Sequence, residues 1–436
     1  MVKMAFVGAG STVFAKNVIG DCLVSPNLHG MEIALFDIDK QRLDDSFKMV
    51  SNLNEKYQAG AKIFATLDRK EALKDAKYVV NAIQVGGYDP CTITDFDIPK
   101  KYGLRQTIAD TLGIGGIFRS LRTIPVMLDI CNDISKYAHK DAIFINYTNP
   151  MSMLSGAMQR YTGVQTVGLC HSVQGCAGGL LNELGIKDIP FKWKIAGINH
   201  QAWLLEITDK QGNDLYPLIK QKANDPAVLA NCKNDLVRLD IMRNFGYYVT
   251  ESSEHNAEYM PYYIKDRYPE LISEFNIPLD EYPRRCVNQI AGWAKMREEL
   301  TTDKQLNHNK TGEFASYIIE AVETDVPYRI HGNVLNTGLI TNLPKEACVE
   351  VACLVDQNGI NPCYVGDLPE QCAAMNRTNI NVQLLTIQAA MTLKKEYIYQ
   401  AAMMDPHTAS ELSIKDIKAM CDELIAVHGD WMPKYN

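Results

Sequence analysis

Short apolar runs that end in glycine, acid or amide residues recur through the first half of the chain. "VKMAFV" ends at Gly8 and Gly10, and "MEIALF" ends at Asp37 and Asp39. "YVVNAIQV" ends at Gly86 and Gly87, and "AIFIN" ends at Asn146 and Asn149. Between them lie stretches with helical spacing: "VFAKNVIGDCL", "KQRLDDSFKMVSNLNEKY" and "LRTIPVMLDICNDISKYA". Such alternation predicts crossover units and a parallel sheet. Ligands of such sheets bind at the carboxyl ends of the strands, which is where these glycines, acids and amides fall.

Beyond residue 190 the pattern loosens. "FKWKIAGINHQAWLLEITD" reads as two strand-like runs around "GINH". "SSEHNAEY" can cap and begin a helix, and "LPKEACVEVACLVDQNGI" has the form of strand and turn. "AAMMDPHTASELSIKDIKAMCDELI" reads as helix, loop and helix. A chain of 436 residues is long enough for two domains. We expect an α/β architecture: a doubly wound parallel sheet over residues 1–190, then an α+β region over residues 191–436.

Composition narrows the picture without redrawing it. An apolar content of 46% with 22% charged residues is that of a folded globular protein. A net charge of −8 and the lack of a basic run argue against nucleic acid as a partner. No apolar run reaches the roughly 18 residues of a membrane span. The apolar start is short and carries no signal-peptide cleavage site. The twelve cysteines are scattered and read mostly as reduced, buried side chains, which implies a cytoplasmic location.

Six stretches carry candidate chemistry. "GAGS" follows the first apolar run and precedes a helix. One glycine permits the tight turn, and the next lets backbone amides approach a pyrophosphate. Asp37, at the end of the next run, can accept hydrogen bonds from ribose hydroxyls and would repel a 2′-phosphate, favouring NAD. The third glycine of the dinucleotide fingerprint is absent, because Val13 stands in its place. A flavodoxin-like sheet with a tight first turn would share the same start.

A second glycine cluster, "ADTLGIGGIFRSLRTIP", opens a helix from which Arg119 or Arg122 could reach a ligand; a loop with surface charges reads the same way. "GLCHSVQG" sets Cys170 beside His171 where a strand-like run ends, and "GINH" supplies His200. A thiolate and imidazoles suit a divalent first-row metal, although a lone histidine is as readily a hydrogen-bonded core residue. "GYYVTESSEHNAEYMPYY" gathers Glu251, Glu254, His255, Glu258 and Tyr259 among aromatics, as carbohydrate sites do. The paired arginines of "DEYPRRC", Arg284 and Arg285, either anchor a ligand or bridge to acids.

Taken in order, these motifs resemble glycoside hydrolase family 4, and within it the branch that acts on α-galactosides. The resemblance runs over essentially the full chain. It rests on "FVGAGSTVFAKNVIGD", "QVGGYDPCTITDFDIPKKYGL", "IADTLGIGGIFRSLRTIP", "NYTNPM", "GLCHSVQG", "AGINHQAW", "ESSEHNAEYMPYY", "DEYPRRCV", "VEVACLVDQNGI" and "AAMMDPHTA". It implies a Rossmann-type, lactate/malate dehydrogenase-like fold. It also implies a mechanism outside the usual two-carboxylate scheme. NAD oxidises C3 of the sugar, C2 loses a proton, the aglycone is eliminated, water adds and the hydride returns. A divalent metal, usually Mn²⁺, polarises the oxygens at C2 and C3.

The resemblance implies NAD contacts at Gly8, Gly10, Ser11, Thr12, Asp37, Asp39 and Gln84. Metal ligation falls to Cys170 and His200, with His171 in or next to the metal shell. Sugar contacts are implied at Asn149, Asp110, Arg119, Arg284 and Arg285. Cys170, His171, His255 and Tyr259 stand as catalytic candidates, with His255 and Tyr259 as alternatives for the base. Relatives that act on 6-phosphorylated sugars carry an arginine where this chain has Cys91. They also follow the metal cysteine with Asn or Asp rather than His171. Both departures imply an unphosphorylated substrate. α-Glucosidase or α-glucuronidase activity is the near alternative, and a 2-hydroxyacid dehydrogenase or a nucleotide-sensing protein a more distant one. The resemblance further implies a homodimer or homotetramer.

Overall fold

The first strand, β1 (Lys3–Val7), is buried along its whole length in the computed structural model, which describes residues 2–436. Its side chains alternate between two cores: Met4 and Phe6 enter one, Ala5 and Val7 the other. A strand covered on both faces has no solvent side, hence the unbroken apolar run. β2 (Glu32–Phe36), β3 (Lys62–Thr66), β4 (Tyr78–Asn81), β5 (Ile143–Asn146) and β6 (Gln165–Gly168) pair with it in parallel. Their order is β3-β2-β1-β4-β5-β6, the doubly wound arrangement with its reversal between β1 and β4. Residues of α1 (Val13–Leu23), α2 (Lys40–Tyr57) and the helix Phe314–Thr324 build the first core. The helices Gly113–Tyr137 and Ile414–His428 contribute to the second.

The sheet does not stop at β6. The later strands are β7 (Phe191–Ile198), β8 (Gln201–Asp209), β9 (Tyr248–Val249), β10 (Tyr328–Leu335), β11 (Cys348–Asp356) and β12 (Gly359–Pro362). β10 joins the free edge of β6 in antiparallel fashion, followed by β11, β7, β8 and β9, while β12 pairs with β11. The second half of the chain therefore extends the sheet of the first. "GINH" ends β7 with Gly197 and Ile198 and supplies Asn199 and His200 as the turn into β8, which pairs antiparallel with β7. Among the described residues, no helix is long and apolar enough to cross a membrane.

The register sets one polar row across this apolar sheet. Val7, Asn81, Asn146, Gly168, Asn333, Glu350, Gly197 and Ala202 are successive cross-strand partners. Asn81 Nδ2 donates to Asn146 Oδ1 at 3.0 Å, and Asn333 Nδ2 donates to Glu350 Oε1 at 3.2 Å. Burial pushes the Glu350 carboxyl well up, and the neighbouring Cys170 thiolate pushes it further. One to three residues beyond this row, the chain carries Gly8, Thr148–Asn149, Cys170 and His200. The row thus aligns the rim on which the candidate site is built.

Candidate active site

The nucleotide end is built locally. Gly8 has φ 88°, and a Cβ there would lie 2.4 Å from the Ala82 carbonyl oxygen. A Cβ on Gly10 would lie 2.7 Å from Asp37 Oδ2, so both positions demand glycine. Asp37 accepts the Gly10 amide at 2.6 Å and the Asp39 amide at 2.9 Å. Its carboxylate braces the turn and keeps further lone pairs for hydroxyl donors. The Ser11 hydroxyl is buried without a protein partner, an acceptor and donor left for a ligand. Thr12 precedes α1 in an uncommon backbone conformation, φ 51°. These features fit a dinucleotide. Asp39 is turned to another task, capping α2 by accepting the Arg42 amide at 3.1 Å. Gln84 donates to Thr92 Oγ1 at 3.3 Å.

The metal end is assembled from three distant segments. Ligand atoms of Cys170, His200 and Glu251 lie within 4.8 Å of one another. Thiolate, imidazole and carboxylate make a donor set suited to a divalent first-row ion. His200 and Glu251 both hold left-handed backbone, at φ 63° and 66°. Non-glycine residues adopt this region at a cost, and such strain concentrates at functional sites. The His200 Nδ1 meets the Tyr259 hydroxyl at 3.0 Å, which leaves Nε2 for a ligand. Burial opposes a charged imidazole at His200, yet the Cys170 thiolate and the Glu251 carboxylate outweigh it and raise it to about 10. Burial likewise opposes the thiolate of Cys170, and His200 more than compensates, so that thiol sits below its ordinary value.

His255 bridges this cluster to Asp110. It follows the cap residue Ser252 of the short helix Ser253–Glu258. Its Nδ1 lies 2.8 Å from Ser252 Oγ and 3.3 Å from Glu251 Oε1, and its Nε2 lies 3.5 Å from Asp110 Oδ1. The ring stands edge-on to His200, with centroids 4.7 Å apart. Asn149 Nδ2 donates to Asp110 Oδ2 at 3.2 Å. Burial would push the Asp110 carboxyl up, but His255, Arg119 and His200 together hold it well below the usual carboxylate range.

The structure thus brings together Cys170, His200, His255, Tyr259, Asp110 and Asn149. It does not bring His171 to the cluster. His171 opens the helix Ser172–Glu183, and its Nε2 pairs with Glu313 Oε2 at 2.8 Å beside the Tyr147 ring. The third donor atom beside Cys170 and His200 belongs instead to Glu251, which stood in the sequence as one of three similar carboxylates. Nothing in "TESSEHNAE" marks it apart from Glu254 and Glu258; its backbone conformation and its partners do.

The arginines also sort differently. Arg119 lies over the Tyr282 ring and donates to its hydroxyl at 3.3 Å. Arg122 is fully buried and gives both guanidinium ends to Asp95, at 3.1 and 2.6 Å. Arg284 and Arg285 turn onto Glu281, three and four residues earlier on the same helix face, and Arg285 also pairs with Glu254. Arg285 borders a cavity of about 270 Å³ lined in part by Phe275 and Pro278, and neither arginine joins the cluster.

A nucleotide-type strand end and a thiolate–imidazole–carboxylate cluster on one sheet define a class of cofactor-assisted enzyme. The chain belongs to the family 4 glycosyl hydrolases: the model of that family matches residues 3–186, and the model of the family's C-terminal domain matches residues 195–408. It is 60% identical, over 435 residues and all of both chains, to an α-galactosidase of Bacillus subtilis strain 168. The whole chain superposes on the whole of the 6-phospho-β-glucosidase of Thermotoga maritima, solved with manganese, NAD+ and glucose-6-phosphate, with a TM-score of 0.80 at 20% identity. The malate dehydrogenase of Plasmodium falciparum matches at a TM-score of 0.54 and 12% identity, covering 91% of this chain and 100% of that one, which accords with the dehydrogenase-like strand order.

Proposed function

We propose that this chain hydrolyses unphosphorylated α-galactosides in the cytoplasm, with NAD and a manganese-type divalent cation as cofactors. The observation that carries this reading is the Cys170–His200–Glu251 cluster on the sheet that also holds the Gly8–Asp37 turn. A glycosidase of the usual two-carboxylate kind needs neither. The name of the 60% identical relative supports the sugar, and the ligands of the Thermotoga enzyme support the cofactors. The missing phosphate grip supports an unphosphorylated sugar. Cys91 is buried, with its sulfur so close to Gly86 that a Cβ there would stand 2.2 Å from it. The nearby Arg122 is engaged by Asp95.

When bound, NAD would take and return a hydride at C3 while the cation polarises the oxygens at C2 and C3. Cys170, His200 and Glu251 would hold the cation, and Gly8, Gly10, Ser11, Thr12 and Asp37 the nucleotide. Asp110 and Asn149, already hydrogen-bonded to each other, bind sugar hydroxyls. His255 accepts the C2 proton at Nε2, with its Nδ1 held by Ser252 and Glu251. Tyr259 is the weaker candidate for base, because its hydroxyl is engaged by His200 Nδ1. Residues 1–190 serve as the cofactor half, and residues 191–436 supply the remaining metal ligands and the assembly surface.

That surface is the helix Glu281–Thr302, of which only Cys286 is buried. Val287 and Ile290 are 51% and 57% exposed, and Ala291 and Ala294 continue the same stripe. A homodimer or homotetramer would cover it. Light scattering of an Ile290→Glu variant should report a smaller species; an unchanged mass would reject this face.

The reading is tested with nitrophenyl α-galactoside, α-glucoside and α-glucuronide, with and without NAD+, Mn²⁺ and a thiol reductant. The galactoside should be cleaved fastest, only with both cofactors, and with no net NADH. Full activity after chelation and removal of NAD+ would contradict it.

A further inference from the structure

The loop Thr107–Thr111 places Asp110 against His255, and its backbone is not held by secondary structure. Its amides at residues 107–109 are held by one buried carboxylate, while the Thr107 carbonyl accepts the Tyr282 amide at 3.1 Å. Glu258 Oε2 accepts the Thr107 amide at 2.9 Å, Oε1 accepts the Ala109 amide at 2.8 Å, and the Ile108 amide lies 3.3 Å from each oxygen. Three successive amides turned toward one point form an anion-binding concavity, and here the chain fills it itself. Ala109 holds left-handed backbone, φ 51°, a conformation that a β-carbon disfavours. The start of the helix Gly113–Tyr137 presses on the same loop: a Cβ at Gly115 would stand 2.6 Å from the Ala109 carbonyl oxygen.

Glu258 and His255 are three residues apart on one short helix and share a face. His255 meets the Asp110 carboxylate, while Glu258 meets the Asp110 loop backbone. A further bond, from Thr107 Oγ1 to the Glu254 carbonyl at 2.7 Å, ties the same loop to the same helix. The segment that begins with the metal-cluster residue Glu251 therefore fixes where Asp110 stands.

We propose that Glu258 is a positioning residue, whose carboxylate gathers the amides of residues 107–109 and so sets Asp110 against His255 over the metal cluster. It touches neither the metal-cluster ligand atoms nor Asp110's carboxylate, and it acts through the loop. The inference rests on the proposed glycosidase reading for its kinetic consequence, but not for its structural one. A buried carboxylate with one methylene fewer, or an amide that turns N–H toward N–H, cannot gather three donors.

The test joins two readouts on the full-length protein. Glu258→Gln should speed hydrogen exchange at the amides of residues 107–109, while NAD+ affinity and metal affinity stay within about twofold, as expected of a site with no shared partner. In the hydrolysis assay it should cost about a hundredfold in kcat/KM, the scale of an ångström-level misplacement. In an Asp110→Asn background the same change should cost less than about twofold, because the residue it positions is already disabled. Unchanged exchange in this loop overturns the proposal, as does an additive loss in the double variant. If the wild-type protein cleaves no galactoside, the glycosidase reading fails while the exchange result still judges Glu258. If the glutamine variant does not fold, Glu258→Asp keeps the charge and serves in the same cycle.

Discussion

The nucleotide turn and the metal cluster sit on one sheet but are made in opposite ways. The turn comes from two short neighbouring segments, with Gly8, Gly10 and Ser11 in one and Asp37 in the other. Its geometry follows from steric limits that a sequence states directly: no side chain fits at Gly8 or Gly10. The cluster draws on residues 170, 200 and 251, and no local rule joins them. They meet because β6, the β7–β8 connection and the end of β9 carry them to the same rim of the sheet. Local chemistry thus builds a generic nucleotide platform, and long-range register adds the part that distinguishes this family from a dehydrogenase.

If the two regions are separable in this way, substitutions should divide cleanly between them. The largest effect belongs to Cys170→Ser. Loss of a ligand should exceed the 10–100-fold range typical of outer contacts, so kcat/KM at limiting Mn²⁺ should fall by more than about a hundredfold. NAD+ affinity should stay near normal. His171→Gln, one residue along, should leave metal affinity within about twofold, because that side chain is half-exposed and paired with Glu313. Equal losses in both variants, read by metal titration, would erase the distinction between the ligand and its neighbour.

Tyr259→Phe comes next. It removes the hydroxyl on His200 Nδ1 without touching a ligand atom. Metal affinity should drop roughly 10–100-fold, as for other contacts that orient a ligating histidine. An unchanged affinity would return Tyr259 to the list of direct catalysts. Smaller than the losses at Cys170 and Tyr259 is that of Asp37→Ala. It removes a carboxylate that braces two amides, and calorimetry should show NAD+ binding weakened about tenfold. Activity at saturating NAD+ should recover, and metal affinity should not change. A metal defect in this variant would mean the two ends are not independent.

Much of the architecture was legible because its causes are local. The alternation of branched runs and helical stretches foretold the parallel sheet. "KQRLDDSFKMVSNLNEKY" coincides with α2, and the β7–β8 turn falls in the last two residues of "GINH". The candidate site was legible where a motif carried it, as at Gly8, Asp37, Cys170 and His200. It was less so where position alone decides. Glu251 looks like its neighbours Glu254 and Glu258, yet one joins the metal cluster, one pairs with Arg285 and one gathers backbone amides. Arg284 and Arg285 offered cations for a ligand, but Glu281 on their own helix face claims both. His171 is deflected because the helix beginning at Ser172 turns it toward Glu313, a residue whose placement depends on a loop far along the chain. That loop is bound to α1 by Asp21, which accepts the Thr311, Gly312 and Glu313 amides at 2.7, 3.0 and 3.0 Å.

The central claim is that the glycosidic bond is broken through loss of the proton at C2, with His255 beside the metal cluster as its acceptor. Hydrolysis of an α-galactoside in D₂O, followed by mass spectrometry and proton NMR of the released galactose, tests this directly. The account predicts deuterium at C2 of the product. Galactose released at full rate with its original C2 hydrogen would contradict it.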